Sequence, residues 1–527
     1  MRRLRLLRAA GAIALASTAL SGLMRAQDQD NHPADQGREL SESIHELQAE
    51  IQNLRSAVAE LRSEAAQYHA ENAALQQRVQ ALQDKLTVPS QSQAGVSANE
   101  QSSANTRVEE QSAAPVTEAE GQRAATTGVQ EQIDLLNGKI NDLYQTKVES
   151  GSKYRVRLSG IALFNVFTNR GNVDNIDFPQ VVALGTPGIP QTSLGGSLRQ
   201  SLVGLEAFGP TVAGAKSSAE VQFDFAGGFP IAPNGVTFGI LRLRTATLHL
   251  DWANTSIVAG QDNLFFTPLS PTSLASLAVP ALSYSGNLWS WTPQLRVEHR
   301  FNLSDDSAFS VQAGVLDPLT GEFPPNEYFR LPQAGEVSGV PAFGTRIAFT
   351  NKTSGGPLTI GIGGYYSREN WGFGRTVDGW AGTTDITVPL SHLFSLSGEF
   401  YRGRAIGGLG AAQNRSIVWS GDLATPAATV RGLDDMGGWA QLKFKPGTKI
   451  EFNMAAGQDS AFTNEVLALP GRSYYGTINA NRSALANFIY RPRSDLMFSA
   501  EYDRLHTASI YTYSSANHVS LSMGVLF

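Results

Sequence analysis

The sequence predicts an all-β transmembrane barrel of about 16 antiparallel strands, preceded by an α-helical coiled coil. Three observations carry this reading. A strict heptad pattern occupies the first part of the chain. From Lys153 onward the apolar residues recur with period two. The links between the candidate strands alternate regularly between long and short.

Composition narrows the classes further. The 527 residues include no cysteine, which excludes a disulfide framework, a cysteine-based zinc site, an iron–sulfur cluster and a thiol nucleophile. Charged residues make up 17%, low for a large soluble protein, and hydrophobic residues 42%. The net charge of −6 sits entirely in residues 1–150, which hold 14 Lys+Arg and 20 Asp+Glu. Residues 151–527 hold 27 of each sign, and 21 of those basic residues are Arg. The two regions are therefore built on different physics.

Residues 1–26 read as a secretory signal peptide. A basic start, MRRLRLLR, leads into a short, Ala-rich apolar stretch at 9–24 that is poorly suited to span a bilayer. Cleavage after Ala26 is expected, and a membrane anchor is the alternative. No other run of 18 apolar residues exists in the sequence. A tail at 27–39 leads to a coiled coil at 40–86. Ile44, Ile51, Val58 and Val79 take a positions, and Leu47, Leu54, Leu61, Leu75 and Leu82 take d. No Gly or Pro interrupts the repeat, and the seam needs a partner, so a homo-oligomer is expected. β-Branched residues at a with Leu at d favour two strands, and Asn72 at an a position would fix register. A helix folded back on its own domain is the alternative. Residues 87–127, rich in Gln, Ser, Ala and Glu, cannot bury a core and read as a linker. A short coiled-coil helix at 128–150 follows, with Val129, Ile133, Leu136, Ile140 and Leu143 on its seam.

The barrel region is 151–527. In KYRVRLSGIALFNVF, Val156, Leu158, Ala162, Phe164 and Val166 share one face, while Arg155, Arg157, Ser159 and Asn165 share the other. AEVQFDF, QLRVEHRF, TKIEFNM and the final ANHVSLSMGVLF repeat the pattern, with His299 on the apolar face of its strand. Sixteen strands are expected, near 153–167, 198–208, 217–226, 239–250, 256–261, 289–301, 308–316, 342–350, 358–367, 379–388, 393–404, 437–445, 449–457, 481–490, 494–505 and 516–527. The long links are 168–197, 227–238, 262–288, 317–341, 368–378, 405–436, 458–480 and 506–515. The short ones include DWANTS, PLSH, KPG and PRS. Long loops at one rim and tight turns at the other is the plan of an outer-membrane barrel of a Gram-negative bacterium. Both barrel termini then fall on the turn rim, which places the coiled coil in the periplasm. A soluble β-sandwich would not need so many strands or such regular links.

The signal peptide, the coiled coil, and the strands carrying SLRQSLVGLEAFG, SAEVQFDFAGGFP, ILRLRTATLHLDW and IVAGQDNLFF resemble the DcaP-like porins of Gram-negative outer membranes. The resemblance spans nearly the whole chain. It implies a trimeric diffusion channel of 16 strands, set in outer-membrane lipid, that prefers small anions such as dicarboxylates. It also implies a three-stranded coil, against the two-stranded tendency of the heptads.

Arginines recur on the inward faces: Arg155, Arg157, Arg242, Arg244, Arg296, Arg300 and Arg346. Guanidinium groups pair with carboxylate and phosphate, and rings of them select anions in pores. These residues therefore form a candidate anion-selective ladder. The alternative is that they pair with Glu220, Asp224 and Glu298 and hold the wall rigid. Asp305, Asp306, Asp434 and Asp435 are expected outside the strands. The long, apolar link from 262 to 288, starting at Asp262, Asn263, Leu264, Phe265 and Phe266, is a candidate constriction loop. Packing at a trimer centre is its alternative. No histidine spacing suits a metal, no glycine cluster suits a phosphate loop, and no basic surface suits nucleic acid. No cofactor and no catalytic residue is expected; a lipase-like barrel enzyme and a trimeric surface adhesin are the competing functions.

Overall fold

The structure, a computed structural model, describes residues 155–183, 191–229, 239–322, 330–468 and 478–527. The signal peptide, tail, coiled coil, linker and short helix expected within 1–150 lie outside the described residues. The strands are β1 (Arg155–Arg170), β2 (Thr192–Ser197), β3 (Leu202–Val212), β4 (Ala215–Asp224), β5 (Arg242–Asp251), β6 (Thr255–Asn263), β7 (Trp291–Asn302), β8 (Ser307–Leu316), β9 (Ala342–Thr353) and β10 (Gly356–Asn370). They continue with β11 (Thr376–Pro389), β12 (Phe394–Arg404), β13 (Ile417–Ser420), β14 (Thr429–Gly432), β15 (Asp434–Phe444), β16 (Ile450–Ala461), β17 (Ile478–Tyr490), β18 (Leu496–Ser509) and β19 (Tyr513–Leu526).

All but β13 and β14 join one antiparallel sheet in which each strand pairs with its neighbours in sequence. β2 and β3 act as one stave, because both lie along β1: Arg170 faces Thr192 at one end and Arg155 faces Phe208 at the other. The result is a closed barrel of 16 staves. β1 and β19 close it with Ile161 opposite Leu526, and Gly160 and Phe527 exchange backbone hydrogen bonds of 3.0 and 3.1 Å at the turn rim. Closure pairs the staves on both sides along the wall, with β2 meeting only β1 among the described residues, so most backbone N–H and C=O groups of the wall pair without water.

The period-two pattern is realised directly. On β1, Val156, Leu158, Phe164 and Val166 are exposed on the outside, while Leu163, Asn165 and Asn169 are buried inside. The outer face carries apolar residues round the wall, among them Leu295, Ile347, Ile362, Phe400, Met454 and Leu521. At the turn rim Phe394, Phe444, Phe452 and Phe488 form an outward row across four adjacent strands, with ring centroids 4.6, 6.0 and 5.0 Å apart. Rows of this kind flank the apolar band of barrels that span membranes. His299 also faces outward, where its Nδ1 lies 2.7 Å from Thr255 Oγ1 and its ring packs edge-on against Phe301.

The structure departs from the sequence expectation mainly in the long links. β1 runs on to Arg170, and β2 forms within the link expected at 168–197. The 405–436 link carries the β13–β14 hairpin, and two short helices, α1 (Ala334–Val337) and α2 (Thr463–Leu467), occupy others. Asp434 and Asp435, expected in a loop, open β15. Asp434 faces outward toward Arg402, and Asp435 is buried inside. Their charges hid the strand start, because adjacent acids break the apolar alternation.

Candidate functional site: the barrel lumen

The lumen is defined by inward side chains and by the link after β6. That link, 264–290, has almost no regular structure of its own, so its backbone groups need partners from the wall. The wall supplies them. Asn165 Nδ2 donates to Leu274 O at 3.0 Å, and Asn487 Nδ2 to Thr272 O at 2.7 Å. Gln441 Oε1 accepts from Thr272 N at 2.6 Å, and Glu399 Oε1 from Leu269 N at 2.7 Å. Thr383 Oγ1 donates to Phe266 O at 2.7 Å. Ser273 Oγ donates to Glu501 at 2.6 Å. Gln200 alone makes three contacts to the segment, through Ala275 O, Leu277 N and Ala278 N. These partners come from β1, β11, β12, β15, β17, β18 and the bend between β2 and β3, so the segment crosses the inside of the barrel.

Five residues at its start have distinct places. Asp262 and Asn263 end β6; Asp262 accepts from Arg296 Nη1 at 2.7 Å, and Asn263 Oδ1 from Trp291 Nε1 at 3.0 Å. Leu264, Phe265 and Phe266 are buried with Leu316, Ala342, Tyr365, Tyr401 and Ile406. Gly344 makes the room: a Cβ there would lie 2.8 Å from the Phe265 ring and 3.0 Å from Phe266.

The seven inward arginines fall into two groups. Arg244, Arg296 and Arg346 have side chains only 1%, 4% and 2% exposed. Each is ion-paired. Arg346 makes a two-pronged contact with Asp385, Nε to Oδ1 and Nη2 to Oδ2, both 2.8 Å. It reaches across β10 because Gly361 lies between them, where a Cβ would sit 2.1 Å from Asp385 Oδ2. Arg296 joins Asp262 and Glu298 and lies over the Phe265 ring. Arg244 sits at a register shift between β4 and β5 and points inward beside Arg242 onto the same carboxylate, Asp224.

Arg155, Arg157, Arg242 and Arg300 keep contact with solvent. Arg157 pairs with Glu206 and is 34% exposed, and Arg242 is 25% exposed while its partner Asp224 is fully covered. Arg155 and Arg157 both lie over the Phe208 ring. Among the described residues Arg155 and Arg300 have no carboxylate at ion-pair distance. The expected pairings with Asp224 and Glu298 both occur, and Asp385 and Glu206 supply further partners.

Two charged clusters were not anticipated. Near the turn rim, buried Glu451 gathers Arg491 at 3.1 Å, Lys445 at 3.6 Å and Lys443 at 3.8 Å, three cations round one acid. The inward phase of Lys443 and Glu451 follows from alternation, but Arg491 sits in a turn whose register the sequence does not state. Toward the other rim, Tyr401 OH lies 2.8 Å from Asp435 Oδ1 and 2.5 Å from Asp459 Oδ2, with its one hydrogen shared between them, and Ala412 N donates to Asp459 at 3.2 Å, which ties the 405–416 link to the wall.

Fold and lumen together define a closed antiparallel β-barrel with an apolar outer face and a polar interior, crossed by one of its own links. No family model matches the chain, and no curated protein sequence matches it. Among solved structures, it is similar to the outer membrane channel DcaP of Acinetobacter baumannii, with a TM-score of 0.54 and 16% identity over 72% of this chain and 99% of that one. An anion-selective porin from Comamonas acidovorans aligns at a TM-score of 0.45, 10% identity, 71% of this chain and 100% of that one. OprB of Pseudomonas putida aligns at 0.43, 13% identity, 71% and 94%. The first likeness shows that the chain shares the fold of the DcaP channel.

Proposed function

We propose that this protein is a porin of a Gram-negative outer membrane: a passive diffusion channel for small hydrophilic solutes that favours anions such as dicarboxylates. The observation that carries the reading is the two-faced wall. An apolar outer belt with an aromatic girdle suits lipid, and a closed polar interior suits solutes. The 264–290 segment acts as the constriction, with Leu264, Phe265 and Phe266 seating its first turn. Long links face outward, the turn rim faces the periplasm, and the coil expected at 40–86 hangs there and helps hold a homotrimer.

The charge arrangement supports the anion preference. Where cation and acid meet in the lumen, the acid is often the covered partner and the cation the accessible one, as in Asp224 with Arg242 and Glu451 with Lys445. A solute on that path meets guanidinium and ammonium first, and these hold carboxylates by charge-assisted hydrogen bonds. Arg155, Arg157, Arg242 and Arg300 face the solute; Arg244, Arg296 and Arg346 hold the wall and the constriction in place.

Liposomes carrying the purified protein test this with a panel of small organic acids, amino acids and sugars of matched size. Faster permeation of dicarboxylates than of equal-sized sugars is expected. Replacing Arg155, Arg157, Arg242 and Arg300 together by Gln removes that difference, and equal rates for acids and sugars in the unmodified protein would contradict the anion preference.

A further inference from the structure

On the outside of the barrel, toward the long-link rim, three arginines stand close together without acids. Arg170 on β1, Arg482 on β17 and Arg504 on β18 all occupy outward positions. The register brings them to one level: Arg482 is opposite His506, Arg504 is opposite Asn517, and Asn517 is opposite Arg170. The cluster spans four adjacent staves, roughly 15 Å at about 4.8 Å per strand. Asn517 Oδ1 ties its middle together, accepting from Tyr502 OH at 2.8 Å and from Arg504 Nη1 at 3.1 Å. His506 completes it, with Nδ1 2.9 Å from Ser515 Oγ.

Two facts set this patch apart from ordinary surface charge. First, outward arginines elsewhere on the same rim are neutralised in place: Arg368 pairs with Asp378 at 3.0 Å, and Arg402 with Asp434 at 2.5 Å. Arg170, Arg482 and Arg504 form no ion pair among the described residues. No outward position of β1, β17, β18 or β19 is acidic, and neither 184–190 nor 469–477 contains an Asp or Glu. Second, the patch sits directly above the apolar belt. Below it on β18 the outward residues are Tyr502, Ala500, Phe498 and Leu496, and on β19 they are Val519, Leu521, Met523 and Val525. Along the strand Arg504 stands roughly 27 Å from Leu496, which at a tilt of about 40° is about 20 Å of height. That puts the arginines in the outer part of an apolar band about 25 Å tall, from which their long side chains reach the lipid headgroups.

We infer that Arg170, Arg482 and Arg504 form a binding site on the outer wall for the phosphate groups of a phosphorylated glycolipid in the outer leaflet. The inference rests on the outer-membrane reading above. Guanidinium forks match phosphate oxygens two at a time, and a phosphate at the interface supplies the countercharge that the wall omits here. Tyr502 and the apolar rows below hold the acyl chains beside the same staves.

The test uses the full-length protein in detergent, with diphosphorylated lipid A as the probe and native mass spectrometry as the readout. The unmodified protein is expected to carry bound lipid A, and an R170Q/R482Q/R504Q variant about tenfold less, in line with the loss of charge-assisted contacts. Dephosphorylated lipid A should bind weakly to both. Should the triple variant fail to fold, the single variants R170Q, R482Q and R504Q carry the test, each with a loss of about twofold to threefold. Equal lipid A binding by unmodified and substituted proteins overturns the inference. So does displacement of the lipid by inorganic phosphate at equal concentration, which would mark a free-phosphate site. A loss of oligomer without loss of lipid also overturns it, since a second copy would then be the occupant. Channel conductance, recorded in parallel, keeps the two readings apart: its absence in the unmodified protein removes the porin reading, whereas lost lipid binding with unchanged conductance supports the site.

Discussion

Gln200 is the best single point at which to release the lumen segment. It is fully buried in the bend between β2 and β3, outside the strand ladder, so substituting it leaves the barrel's own backbone pairing intact. Its side chain makes four hydrogen bonds: Nε2 to Ala275 O at 2.8 Å and to Asp177 O at 3.3 Å, and Oε1 from Leu277 N at 2.8 Å and Ala278 N at 3.1 Å. Gln200→Ala removes all four, three of which hold the lumen segment. At about 1 kcal/mol net each, less where water enters the vacated space, the segment loses roughly 2–3 kcal/mol of anchoring. With about 1.4 kcal/mol per factor of ten, the displaced population rises roughly 30- to 150-fold. Single-channel recording reads this directly, as larger open-channel conductance or more frequent excursions to a larger state. The folded, heat-modifiable barrel should persist on gels. Conductance and noise identical to the unmodified protein, with the barrel intact, would refute the view that this segment sets the pore width.

Three further outcomes follow from the same packing. Arg346→Gln strands buried Asp385, and breaking such a pair costs about 3–5 kcal/mol, measurable as a lower denaturation midpoint; an unchanged midpoint contradicts the assignment of Arg346 to the wall. Gly344→Val drives a side chain into Phe265 and Phe266, at a cost of about 1–3 kcal/mol, and should alter conductance together with stability; a silent substitution would show that the constriction is not seated there. The surrounding wall partly desolvates the Asp174 carboxyl, whose own surface stays open to solvent, and raises its pKa above the ordinary value, against the opposing backbone hydrogen bonds from Gln180 and Val181. The folded state therefore holds this proton more tightly than the unfolded chain, so its stabilising contribution is present in acid and is lost as pH rises through the folded value. Hydrogen exchange of 172–183, corrected for intrinsic rates, should show greater protection near about pH 4 than near pH 7, and Asp174→Asn should flatten that dependence.

What the sequence discloses depends on the range of the interactions involved. The alternation of Val156, Leu158, Phe164 and Val166 with Arg155, Arg157 and Asn165 is local, so strand existence and facing can be read directly. Closure follows from link lengths. The charge partners are a matter of register. Arg346 meets Asp385 across an intervening strand, through space left by Gly361, and that requires knowing how β9, β10 and β11 align. Alternation places Arg242 and Arg244 inward, but it does not reveal the register shift that turns Thr245 and Thr247 inward as well. The β13–β14 hairpin is four residues a side, too short to show a period. The anchors of the lumen segment, Gln200, Asn165 and Asn487, carry no sequence signature, because a buried amide resembles any polar residue until its backbone partners are known.

The proposed function makes this barrel an anion-preferring pore. Recording the purified protein in planar lipid bilayers under a potassium chloride gradient tests it most directly. Stepwise conductance increments and a reversal potential of the sign set by chloride are expected. A correctly folded barrel that inserts without conducting would contradict the claim outright, and a reversal potential set by potassium would contradict the role given to Arg155, Arg157, Arg242 and Arg300.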